Sequence, residues 1–96
     1  MVAQLVETDI EQQRDALLER LIGSANGLWD IATVYLGDRL GLYHRLADSG
    51  PATSTELADA CGLSERYVRE WLEQQTTAGI LTLENPGAGA LERKFA

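Results

Sequence analysis

Apolar residues recur at helical spacing through most of this chain and change to a short β-prone run only near its end. Ile10, Leu17, Leu18, Leu21, Ile22 and Ala25 form a first stripe, with Glu11, Arg14, Asp15 and Glu19 on the outer face. Thr8 and Glu11 have the Thr-x-x-Glu spacing of a capping box, which predicts a helix start there and frayed residues before it. Gly23 and Gly27 interrupt the run. Each costs about 1 kcal/mol against alanine inside a helix, so a bend or break is expected. Leu28, Trp29, Ala32, Val34, Tyr35 and Leu36 make a second stretch, apolar around much of its circumference. Such a helix needs neighbours on more than one side. Gly37 and Asp38 are expected to break it, and Leu40, Tyr43, Leu46 and Ala47 then give a short helix stopped by Gly50 and Pro51.

The most informative stretch is Thr53 to Leu83. Thr53 and Glu56 again have capping-box spacing, and Leu57, Ala58 and Cys61 follow on one helical face. Gly62 suits a left-handed turn, and Ser64 is placed to cap the next helix. That helix carries Val68, Trp71 and Leu72 as its stripe, with Gln75 one turn on, and Gly79 ends it. Ile80, Leu81 and Leu83 read as a strand, Asn85 to Gly89 as a turn, and Leu91 to Phe95 as the returning strand. The pattern predicts a mainly α fold: a helix-turn-helix with a two-stranded wing, preceded by N-terminal dimerisation helices. Residues 1–36 form the helical dimerisation segment and 37–96 the winged-helix unit of one domain.

Charge changes what this motif is expected to do. The second motif helix would enter the major groove of a DNA reader. It carries Arg66 and Arg69 against Glu65, Glu70 and Glu73. The chain as a whole has a formal net charge of −7 and a single lysine. Phosphate recognition rests on displacing counterions with basic groups, so neither nucleic acid nor an anionic membrane is an expected partner. A lone cysteine fits a reducing cytoplasm, and neither a charged-then-apolar leader at Met1 nor an 18-residue apolar run is seen, so a cytoplasmic location is expected. Ninety-six residues give a small core that oligomerisation would help.

From about Leu28 to the end, the chain resembles the N-terminal domain of actinobacterial-type class I methyltransferases dependent on S-adenosylmethionine. The resemblance is carried by Leu36-Gly37-Asp38, Leu40-Gly41-Leu42-Tyr43, Gly50-Pro51, Glu56-Leu57-Ala58 and Gly62-Leu63, and most by Glu65-Arg66-Tyr67-Val68-Arg69-Glu70-Trp71-Leu72 with Gln75 and Gly79. It implies a winged helix that dimerises and covers the substrate ahead of a Rossmann-like cofactor domain. That second domain is absent from the sequence, so S-adenosylmethionine is expected to be held by the missing C-terminal domain, and this chain alone is expected to be inactive. The Gly-rich stretch Asn85 to Gly89 has no helix pattern after it and reads as a hairpin wing, not a cofactor loop.

Individual residues have plain readings. His44 falls off the Leu40, Tyr43, Leu46 stripe and reads as a surface histidine, Cys61 as a small side chain at the motif turn. No set of His, Cys, Asp and Glu has metal-ligand spacing, and no catalytic residue is assigned. Gly23-x-x-x-Gly27 and Gly37-x-x-x-Gly41 are weak signals of close helix contact. Leu28, Trp29, Ala32, Tyr35 and Leu36 are the candidates for a dimer interface, or for one wall of a pocket taking a small lipophilic substrate. Trp71 and Gln75 are read as structural, because a buried amide demands partners. The expected function is dimerisation and substrate capping within a small-molecule methyltransferase that works as a homodimer. The alternatives are a winged-helix DNA-binding regulator and a stand-alone dimerisation module.

Overall fold

A computed structural model describes residues 2–96; the expectations of a frayed start and of no leader both touch Met1, which lies outside them. Four helices follow one another: α1 (Val2–Arg39), α2 (Leu42–Ser49), α3 (Ser54–Cys61) and α4 (Glu65–Thr77). The chain divides into two compact units, the first ending at Ile31 and the second comprising Ala32–Ala96, so α1 contributes to both.

The N-terminal half departs from the expected pattern. Thr8 does not start a helix: it lies inside α1, where its hydroxyl donates to the Gln4 carbonyl at 2.9 Å. This is the back-bonding of a mid-helix threonine, so the Thr-x-x-Glu spacing with Glu11 is coincidental. Nor do Gly23, Gly27 or Gly37 break the helix. A penalty of about 1 kcal/mol per glycine is small beside the continuous hydrogen bonding of a long helix. The chain turns instead at Gly41, whose φ of 75° lies in the left-handed region.

Within Ala32–Ala96 the local signals hold. Thr53 and Glu56 form a reciprocal capping box: Thr53 Oγ1 accepts from the Glu56 amide at 3.2 Å and Glu56 Oε1 from the Thr53 amide at 3.1 Å. Gly62 ends α3 in the left-handed region. Ser64 occupies the N-cap position of α4, but its side chain makes no capping bond. The core is built from α2 (Leu42, Leu46), α3 (Leu57, Ala58) and α4 (Val68, Leu72), closed by Phe95.

The expected two-stranded wing is not formed; among the described residues there are only isolated bridges, Ala52 to Phe95 and Leu83 to Phe95. Thr82 and Ala96 exchange backbone hydrogen bonds at 2.8 and 3.0 Å, and the Glu84 amide donates to the Lys94 carbonyl at 2.8 Å. Pairing stops there for two reasons. The amides of Ile80 and Leu81 turn back to the Gln75 carbonyl as part of the exit from α4, while those of Glu92 and Arg93 both bond to the Gly89 carbonyl. Those four donors are used in turns and cannot join a ladder.

Candidate functional site

The end of α1 is joined to α4 and α2 through polar groups. The Trp71 indole N–H donates to the Thr33 carbonyl at 2.9 Å. One turn later, Gln75 is fully buried; its Nε2 donates to Thr33 Oγ1 at 3.1 Å and to Gln74 Oε1 at 2.8 Å, while its Oε1 accepts from the Tyr43 hydroxyl. Burial pushes the Tyr43 phenol above its ordinary value of 10.0, because the charged form would lose its solvent. Tyr43 and Trp71 meet edge to face, with centroids 5.1 Å apart. Both rings press on Gly37, which sits buried in α1; any Cβ there would lie well inside contact distance of the two side chains.

Beside this junction is an apolar groove of about 200 Å³. Leu36, Leu40 and Leu42 form one wall; Leu63, Val68 and Trp71 form the other. Tyr67 stands at the rim, 77% exposed, and Ser64 is the one hydroxylic side chain besides it. The polar ends of the wall and floor aromatics turn away, since Trp71 Nε1 is bonded to Thr33.

The remaining candidates lie elsewhere. Leu28, Trp29, Ala32, Tyr35 and Leu36 are all exposed on α1, and of these only Leu36 lines the groove. His44 is exposed on α2, and Cys61 is a half-buried free thiol at the end of α3. Among the described residues no group of three His, Cys, Asp or Glu side chains could hold a metal ion. Among them too, no helix is long and apolar enough to cross a membrane.

The charged side chains of α4 are paired. Arg66 bonds Glu70 at 3.0 Å, Arg69 faces Glu65 at 3.4 Å, and Arg93 reaches across to Glu73 at 3.2 Å. Glu65 also accepts from the buried Ser54 hydroxyl at 2.6 Å. The Asn85 side chain closes the Gly-rich turn by accepting from the Lys94 amide at 2.7 Å and donating to the Glu92 carbonyl at 2.9 Å, and no helix follows it.

A short-looped α2–α3–α4 trio, a left-handed Gly62 between α3 and α4 and a vestigial hairpin returning over the core are the parts of a winged helix-turn-helix. The family model described as the Rv2258c-like winged HTH domain matches residues 27–88, well over half of the chain. The chain belongs to this family. In this member of the Rv2258c-like winged HTH family the match starts inside α1 and takes in the polar junction, the groove and the Gly-rich turn. A search of curated proteins finds no match.

Sequence reasoning missed the groove and the Thr33 junction. Their residues come from three or four segments, and only the unexplained polar Gln75 within an apolar stripe pointed towards either.

Proposed function

We propose that this chain is the dimerisation and substrate-capping module of a small-molecule methyltransferase dependent on S-adenosylmethionine, not catalytic by itself, and that it associates as a homodimer through residues 1–36. The observation that carries the proposal is the apolar surface of α1. Leu18, Ile22, Ala25, Trp29, Ala32 and Leu36 recur at alternating four- and three-residue steps, and Leu17, Leu21, Leu28, Ile31 and Tyr35 form an adjacent row, all of them exposed. Together these rows span about half of the helix circumference. At about 25 cal/mol per Å², so many wet leucine, isoleucine and aromatic side chains are a strong drive towards association.

The cofactor half of such an enzyme has no counterpart in these residues. The Gly-rich turn is tied off by Asn85 and leads into no helix, so it does not fit a nucleotide or sulfonium cofactor, and no step is assigned to it. The fold by itself also suits a DNA-binding regulator. The α4 charges weigh against that reading, because the arginines that would meet phosphate are held by glutamates of the same surface.

Light scattering over a concentration series tests the proposal: twice the chain mass is expected, and Trp29→Glu combined with Leu21→Glu should give a monomer. Calorimetric titration with S-adenosylmethionine is expected to show no binding to the chain alone. A persistent monomer at high micromolar concentration sinks the dimerisation module, and salt-sensitive retention of duplex DNA favours the regulator.

A further inference from the structure

We infer that the groove between the end of α1 and the start of α4 is a binding site for a small, neutral, monohydroxylated aromatic molecule. Unlike the capping proposal, this site is complete within the chain, and it does not depend on that proposal being right. Size sets the first limit. A cavity of about 150 Å³ lined by aliphatic and aromatic side chains suffices to bind benzene. A space of about 200 Å³ therefore takes one substituted ring. Fused polycyclic ligands belong to larger sites of about 300–1,000 Å³.

Lining chemistry sets the second limit. Leu36, Leu40, Leu42, Leu63 and Val68 offer aliphatic contact, and Trp71 contributes an aromatic wall whose N–H is already engaged. No charged side chain lines the groove, so an ionised ligand would lose its hydration without a partner there. An anion would also meet Glu65, adjacent to Ser64, on a chain of net charge −7. That leaves neutral molecules. Ser64 sets the third limit: its hydroxyl lies in the lining and makes no capping bond to α4, so it can pair with one hydroxyl on the ligand. The groove lies within the compact unit Ala32–Ala96, and its walls are fixed by the Thr33–Trp71 and Thr33–Gln75 bonds.

The test is a titration of the full chain with 4-ethylphenol, followed by the two tryptophan indole N–H signals in nitrogen-correlated NMR. Saturable movement of the Trp71 signal is expected, with a dissociation constant on the order of 0.1–1 mM for a ligand of this size, while the Trp29 signal stays still. Ser64→Ala should weaken 4-ethylphenol about fivefold and leave ethylbenzene unchanged, since one neutral hydrogen bond is lost. Tyr67→Ala, at an exposed rim position, should weaken both ligands without loss of helicity. Three results overturn the inference: no saturation by about 10 mM, well beyond the affinity expected for such a ligand; equal binding of 4-ethylbenzoate; or a Trp71 signal that moves with protein concentration alone. The last would show a second copy filling the groove.

Discussion

Replacing glycine by alanine inside a helix ordinarily stabilises it by about 0.5–1 kcal/mol. In α1 the same substitution is expected to change sign with position. At Gly23 and Gly27 nothing lies within 4 Å of where the new methyl would be, so Gly23→Ala and Gly27→Ala should each add stability of that size. At Gly37 the methyl would be driven into the Trp71 six-membered ring and the edge of Tyr43. Trp71 cannot retreat freely, since its indole is bonded to Thr33 and its ring packs edge to face on Tyr43. Overpacking of this kind costs about 1–3 kcal/mol, and losing the indole bond adds about 1 kcal/mol. Set against the propensity gain, Gly37→Ala should destabilise by roughly 1–3 kcal/mol. Urea denaturation followed by circular dichroism, at one fixed protein concentration because association shifts apparent stability, measures all three variants. Equal stabilisation at Gly23, Gly27 and Gly37 would mean that α1 does not seat on α4 as described. A loss confined to Gly27→Ala would place that glycine in a helix–helix contact between copies.

Further outcomes follow from the same geometry. Gln75→Leu strips Tyr43 of its acceptor, and it should cost about 2 kcal/mol; with Tyr43→Phe added, a double-mutant cycle should show about 1 kcal/mol of coupling, and strict additivity would count against the shared bond. Tyr43 has a folded pKa above its unfolded value of 10.0, so its contribution is complete below pH 10 and fades as pH rises through the folded value; Tyr43→Phe should flatten that alkaline loss in stability-versus-pH curves. Glu56 is the opposite case: the Thr53 amide and hydroxyl hold its carboxyl below the usual 4.5, so its contribution is present above that value and is lost on further acidification, a decline that Glu56→Gln should reduce. Thr53→Ala removes the other half of the box and should lower stability by about 1 kcal/mol at neutral pH in thermal melts.

Local chemistry was the part most legible in the sequence. Thr53, Glu56 and Gly62 act on neighbours within a few residues, so their spacing sufficed to place α3 and its turn. The same spacing at Thr8 and Glu11 misled, because a capping box needs an extended residue at its head and the chain there is already helical. The uninterrupted α1 was hidden by its glycines. At Gly37 the reason for the glycine is tertiary, a ring pressed against the helix, and no local rule reports it. The wing failed for a related reason. Ile80 and Leu81 have the composition of a strand, but their amides serve the end of α4. The groove draws Leu36, Leu63 and Val68 together from separate segments, and Tyr67 looked like an ordinary surface residue of α4.

Gln75 serves two structures at once. Its side chain holds Thr33 and Tyr43, while its carbonyl receives the amides of Ile80 and Leu81. Helix ends usually fray, because their last carbonyls are held weakly or by water. The last turn of α4 is different: it cannot unwind at Gln75 without giving up the grip on α1 in the same event. Fraying, elsewhere a local and inexpensive motion, is here tied to release of a neighbouring helix. The opening of this helix end and the departure of α1 from its seat therefore form one cooperative step.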